Sequence, residues 1–247
     1  MKFEDIIKKV SGTIAGLVVF FVAAGTYLSL KGFVMSSDGN IVLVKNAQAS
    51  FTEGKASGEI STPVPADVNI ILPKGHILGS KNAPLTIYEY SSFGCYHCAH
   101  FHLKTLPLLK KDFIDGGKVN LVFADFPLDK KSMQASLLAD CLPEDKYFAF
   151  LNTVFKNQRE WGLSFKGTEI LTDYAVHAGL SREQAEACLK NDHQAEEIIA
   201  DRQLAIEKLN VQGTPAFLIV GKDGKEVIHG VPDYEELKAL LNRKLNK

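Results

Sequence analysis

Neither sign of charge is in surplus in this 247-residue chain, where 28 Lys plus Arg stand against 29 Asp plus Glu. A protein that holds nucleic acid by neutralising its phosphates needs a cation-rich face, so the balance argues against that class. Cysteine is scarce, with four in the whole sequence, too few for a disulfide-dense mini-scaffold. There is no internal repeat and no long charge block. A single C-x-x-C occurs, at Cys95–Cys98, and neither a second C-x-x-C nor an H-x₃-H accompanies it to complete a tetrahedral metal site. Apolar residues, by contrast, make up 46 % of the chain, enough for a core and too many for wholesale disorder. The length allows one elaborated domain or two small ones.

From Ser11 to Leu30 (SGTIAGLVVFFVAAGTYLSL) the chain carries no Asp, Glu, Lys, Arg or His. At ~1.5 Å per residue the run spans ~30 Å as a helix, the thickness of a hydrocarbon core. Val18, Val19, Phe20, Phe21 and Val22 leave no polar stripe for a surface helix. The expectation is a short tail over 1–10, a retained transmembrane anchor over 11–30 and a tether over 31–77 with room for one strand or docking segment. The rival is a cleaved signal: Ala47-Gln48-Ala49 has the A-x-A form, but it lies well beyond the apolar run. Lys2, Lys8 and Lys9 before the run, against Lys31 and Lys45 after it, place the N-terminus in the cytoplasm. The bulk of the chain then faces an extracytoplasmic, disulfide-permissive space.

Periodicity sharpens after Asn82. Leu85–Tyr90 is β-prone, and the C-x-x-C follows it at the start of an imperfect helical face, Phe101, Leu103, Leu106 and Leu109, with Pro107 predicting a kink. Lys118–Phe126 reads as a second strand, completing a βαβ unit. Helical patterns then run through Met133–Cys141, Tyr147–Phe155, Thr168–Ala178, a segment from Ser181 with a Ser181/Gln184 capping box, and Asp192–Leu209. Ala216–Val220 and Glu226–His229 form a hairpin about Asp223-Gly224, and Asp233 caps a last helix. This order, βαβ, helices, ββα, describes an α/β thioredoxin-like fold over 78–247 with an all-helical insertion at about 129–209.

A C-x-x-C where a strand gives way to a helix sets its first sulfur, Cys95, against unpaired N–H groups at the positive end of the helix dipole. That stabilises a thiolate, and His97 can add a charge or a hydrogen bond. Cys98, one turn inward, suits the resolving role in which it releases a mixed disulfide. Zinc is the alternative, but Cys98, His100 and His102 are spaced by two and point about 200° apart in succession, so no metal is expected. His100 and His102 read as ordinary polar helix positions.

FGCYHCAHF after IYEYSS, with GTPAFLI far downstream, resembles the DsbA-type thiol–disulfide oxidoreductases, in their membrane-anchored or secreted bacterial branch. The resemblance covers Leu78 to Lys247. It implies that Cys95 is the exposed nucleophile, Cys98 the buried resolving cysteine and His97 the family's histidine. It also implies that Thr214-Pro215 is the cis-proline loop beside the disulfide, offering backbone groups to substrate. Glu89 matches the buried acid that assists proton transfer to and from Cys98; the alternative is an acid facing solvent. Tyr96 stands where the oxidases usually carry proline, and Thr214 where they commonly carry valine, a threonine there being frequent among isomerases. Tyr96 reads either as a surface aromatic or as part of a peptide-binding surface.

With the motif pairing Cys95 and Cys98, Cys141 and Cys188 remain, as a structural disulfide within the insertion or as two separate buried thiols. The expected activity is introduction of disulfides into reduced or misfolded exported polypeptides, with no bound cofactor because the electrons reside on sulfur. The resemblance implies reoxidation by a quinone-linked DsbB-like membrane partner. The alternatives are a disulfide isomerase or reductase of the same fold, suggested by Thr214, and a metal-binding chaperone module. The expected location is the bacterial inner membrane, single-pass, with the catalytic domain on the periplasmic or extracellular side; signal cleavage would instead leave it free in the periplasm.

Overall fold

A computed structural model of the protein describes residues 33–35, 41–43, 59–65, 72–73 and 75–246. The apolar run 11–30, which carries the expected anchor, lies outside the described residues. Among those described, no helix is long and apolar enough to cross a membrane. The chain divides into two compact units, Met1–Gly54 and Lys55–Lys247. In the first, β1 (Phe33–Met35) and β2 (Ile41–Leu43) pair antiparallel, with Val34 opposite Val42.

The second unit is built on a six-stranded sheet ordered β3-β8-β7-β5-β6-β4. Its strands are β3 (Glu59–Val64), β4 (Ile77–Leu78), β5 (Leu85–Ser91), β6 (Val119–Asp125), β7 (Ala216–Gly221) and β8 (Gly224–His229). Only β5 and β6 run parallel; every other pair is antiparallel. Two of these strands, β3 and β4, begin upstream of residue 78, where the domain is expected to start. β3 covers the free edge of β8, and β4 covers that of β6. Edge strands pair through backbone groups and need no apolar alternation, so their sequences carry little signal. Pro63 fits an edge position, where its missing N–H costs no ladder bond.

Alternate residues of the central strands serve different cores. Leu85, Ile87, Phe217 and Ile219 pack with Phe101, Leu109 and Phe113 of α1 (residues 96–114) and with Leu237 and Leu241 of α8 (Tyr234–Leu245). Tyr90, Leu218 and Val227 pack instead with Ala205 and Leu209 of α7 (Asp192–Leu209). The kink expected at Pro107 takes the form of two widened turns, at Phe101–Thr105 and Lys110–Ile114. Pro107 brings no N–H to the helical ladder. On either side of it the bonds reach back five residues, from Leu106 N to Phe101 O and from Asp115 N to Lys110 O.

The insertion comprises α2 (Lys130–Asp140), α3 (Glu144–Lys156), α4 (Gln158–Leu163), α5 (Gly167–Ala178), α6 (Arg182–Cys188) and α7. Gly179 ends α5 with φ of 125°, and the Ser181/Gln184 capping box starts α6 with both reciprocal bonds formed. Trp161 is the largest of the fully buried side chains, and its indole N–H donates to Val154 O at 2.9 Å. Its neighbours in one continuous core include Phe93, Cys98 and Phe123, so the insertion and the C-x-x-C loop share packing.

Candidate active site

Cys95 is the N-cap of α1. It holds an extended backbone (φ −81°, ψ 122°), and its Sγ accepts from Cys98 N at 3.3 Å. The turn is closed by Cys95 N to Ser92 O and Ala99 N to Cys95 O. Gly94 is needed for close approach: a Cβ there would stand 2.6 Å from Ser132 Oγ, to which Gly94 N donates. Across the sheet, the cis peptide Thr214–Pro215 brings Thr214 O to 3.3 Å from Cys95 Sγ, which donates to it as a thiol.

The two free thiols differ sharply. Cys95 is half-buried and Cys98 wholly buried. The Cys95 thiol is lowered to about 6, first by the Cys98 thiol, with further help from the Thr214 side chain and the backbone N–H groups of Cys98 and His97, against an opposing effect of burial. Burial, and then the sulfur of Cys95 and the charge of Glu89, push the Cys98 thiol far upward, while the Ser91 hydroxyl works the other way. A half-exposed thiolate next to a buried thiol can receive a disulfide from outside and hand it inward. Iodoacetamide alkylation of the reduced protein should therefore rise through about pH 6 and level off near neutrality. An ordinary thiol, ionising near 8.5, would keep gaining rate to about pH 9. The assay is alkylation rate against pH, read by mass.

The sequence-derived site residues Cys95, Cys98, Thr214 and Pro215 come together here. Glu89 lies on β5, opposite Phe123 of β6 and Phe217 of β7, and is fully buried rather than facing solvent. His97 is exposed and supplies a backbone N–H to Cys95, while its ring lies edge-on to Tyr96 at 5.7 Å. The lowering of the Cys95 thiol comes first from the second sulfur, with the Thr214 side chain and the backbone N–H groups of Cys98 and His97 adding to it. Tyr96 is 72 % exposed and, with Gly94, Lys130, Gln158 and Leu163, borders an open groove of about 690 Å³. Cys141 and Cys188 are bonded to each other, at a Cα–Cα distance of 6.3 Å, and join the end of α2 to the end of α6.

Two further residues belong to the site. Gln158 Nε2 donates to Phe93 O at 2.7 Å and to Cys95 O at 2.9 Å, tying α4 to the active loop. Nothing local marks it, since its partners lie more than sixty residues upstream. His102, read from sequence as an ordinary polar position, is buried, and its Nε2 lies 2.7 Å from Glu89 Oε2. The signal was present: Cys98 and His102 are four apart and share one helix face, although successive steps of two diverge. Among the described residues no three His, Cys, Asp or Glu side chains are grouped to hold a metal ion.

With this geometry in place, the relatives are informative. The thioredoxin family model matches residues 72–243. A Rickettsia typhi protein named for a protein-disulfide oxidoreductase activity is 34 % identical over 146 residues, 59 % of this chain and 54 % of that one. The chain thus spans about half the length of the first curated relatives that it matches. Disulfide bond formation protein D of Bacillus subtilis is 27 % identical over 68 % of this chain and 76 % of its own. Among solved structures, alpha-DsbA1 of Wolbachia pipientis matches with a TM-score of 0.64 and 28 % identity, over 72 % of this chain and 94 % of that one. BdbD of Bacillus subtilis matches with a TM-score of 0.62 and 25 % identity, over 72 % and 100 %.

Proposed function

This chain belongs to the thioredoxin family as a DsbA-type member, and from that premise we propose that it is a thiol–disulfide oxidoreductase that introduces disulfides into exported polypeptides. The observation that carries this reading is the opposed state of the two sulfurs beside a cis-proline loop. Cys95 is held toward thiolate at a helix N-terminus, and Cys98 is held protonated behind it. In the oxidised enzyme a substrate thiolate attacks Cys95, and Cys98 leaves as the reduced partner. A second substrate thiolate then attacks the substrate's own sulfur in the mixed disulfide, forming the substrate disulfide and expelling Cys95 as a low-energy thiolate. His97 contributes its N–H, Tyr96 and the Thr214–Pro215 backbone offer the substrate-binding surface, and Cys141–Cys188 braces the insertion.

The apolar run 11–30 supports an anchor that holds this domain on the outer side of a bacterial inner membrane, with reoxidation by a DsbB-like quinone-linked partner. A second reading is favoured by one residue: Thr214, in place of the valine common in oxidases, suits an isomerase. One experiment separates the two. Oxidised protein is mixed with a fully reduced polypeptide, and in parallel the reduced form is mixed with one whose disulfides are scrambled. Fast oxidation with poor rescue supports the oxidase; rescue that outpaces oxidation supports the isomerase; the absence of both oxidation and rescue overturns the exchange reading.

A further inference from the structure

The groove beside Cys95 carries a surplus of charge that the chain as a whole lacks. It runs between the start of α2 and α4, and both walls are bonded to the active loop. Ser132 Oγ accepts from Gly94 N at 3.1 Å, and Gln158 Nε2 donates to Cys95 O at 2.9 Å. Three cations line it, Lys130, Lys131 and Arg159, against one acid, Asp129. Asp129 is committed to the start of α2, where its Oδ1 accepts from Ser132 N at 2.8 Å. Lys131 is committed to the far end of α4, donating to Gly162 O and Ser164 O at 2.8 Å each. Lys130 and Arg159 are left, and both are exposed. The lysine and arginine ion pairs among the described residues all involve other cations. Glu160, next to Arg159, is engaged by the Tyr174 hydroxyl, which donates to it at 2.8 Å.

Their positions do not serve the helices. Lys130 opens α2 and Arg159 is the second residue of α4, first-turn places where the helix dipole favours acids over bases. Apolar surface gathers at the same spot. Of the six large apolar side chains exposed among the described residues, Tyr96 and Leu163 line the groove, and Leu128 and Phe165 stand within two residues of its lining. Exposed apolar side chains that gather inside a polar rim mark a surface that meets another chain.

We propose that this groove selects, among reduced polypeptides, segments that carry a carboxylate and an apolar side chain close to the reacting cysteine. Lys130 and Arg159 meet the carboxylate, and Tyr96 and Leu163 meet the apolar group. This rests on the exchange reading above and names the substrates that it prefers. Backbone groups at Thr214–Pro215 read no side chain, so they accept any extended segment. The groove supplies the discrimination. Lys130 stands two residues before the Ser132 that holds Gly94, and Arg159 one residue after the Gln158 that holds Cys95. A chain held at Cys95 therefore brings its first few residues to both cations. Opposite charge draws an acidic segment in and turns a basic one away. Two exposed cations give a modest preference, and salt weakens it.

The test offers the oxidised full chain an excess of three single-cysteine peptides. They differ only in the residues two positions to either side of the cysteine, which are aspartate, serine or lysine, with phenylalanine beside them in each. Two peptide thiols become one peptide disulfide as the Cys95–Cys98 bond is reduced, and the rate is read by mass after acid quenching. Each rate is divided by that of the same peptide with hydroxyethyl disulfide, a neutral reagent, which removes differences in thiol acidity. At low salt the aspartate peptide should react about tenfold faster than the lysine peptide, and about 0.5 M salt should shrink the ratio to about twofold. In Lys130→Gln/Arg159→Gln the ratio should fall to about one, and in Lys130→Glu/Arg159→Glu the lysine peptide should become the faster. Acids suit both helix starts, so the reversed variant should fold. A ratio that both variants leave unchanged overturns the proposal. Equal rates for the three peptides with the wild type also overturn it, whether the groove then proves to hold an anionic vesicle, a second copy of the chain or nothing. If the wild type oxidises none of the peptides, the exchange reading itself fails and this proposal falls with it.

Discussion

Replacing Cys95 with serine abolishes disulfide exchange, with a loss of more than about a thousandfold, the order seen when a covalent nucleophile is removed. Two features of the site make the loss this large. The Cys95 sulfur is the one half-exposed thiol, and it alone lies within hydrogen-bond distance of the Thr214 carbonyl in the cis-proline loop. Cys98 cannot substitute, because it is fully buried and burial holds its thiol protonated. A serine hydroxyl at the N-cap would satisfy Cys98 N as the sulfur does, so the fold should survive while the chemistry is lost. The complementary variant, Cys98→Ser, should behave differently. It keeps the nucleophile and stalls at the mixed disulfide, which accumulates and can be isolated from reduced polypeptides. Mass analysis of both variants after incubation checks the pair. Residual turnover in Cys95→Ser would move the reaction to another residue.

Removing the Cys141–Cys188 bridge lowers the unfolding free energy by about 4 kcal/mol in the chain-entropy model, for a closed loop of about 48 residues. The bond spans a sequence separation of 47 and ties the end of α2 to the end of α6, at the rim of the core that Trp161 and Phe150 fill. With an m-value of about 2 kcal/mol/M in urea, the midpoint for Cys141→Ala/Cys188→Ala should fall by about 2 M. Exchange at Cys95 should persist, because the active loop is held by Gln158, Ser132 and the β5–α1 junction rather than by the bridge. A shift of less than about 0.5 M would mean that the bridge does not constrain the unfolded chain. Loss of exchange in a folded variant would mean that the bridge takes part in the chemistry.

What could be read from the sequence follows the range of the interactions. Local devices were legible: the C-x-x-C at a strand–helix junction, the Ser181/Gln184 box, the helix Asp192–Leu209 and the hairpin about Gly224 all rest on contacts within a few residues. The burial of Glu89 was legible too, from a strand flanked on both sides. What escaped was non-local or misphased. Gln158 reaches back to Phe93 and Cys95 across the insertion, and no pattern near it says so. His102 was hidden by counting in steps of two along a helix whose faces repeat at four. β3 and β4 add to sheet edges through backbone groups, in a stretch whose Ser, Thr, Gly and Pro content masks any period.

The central claim is that Cys95 and Cys98 form a redox couple poised to give up a disulfide, and equilibration against glutathione buffers tests it most directly. The fraction of the Cys95–Cys98 disulfide is read by mass after rapid acid quenching. A Cys95 thiolate favoured at about 6 stabilises the reduced form, so the account predicts a single two-electron couple on the oxidising side of about −200 mV. A couple near about −270 mV, the range of a cellular reductant, would contradict it.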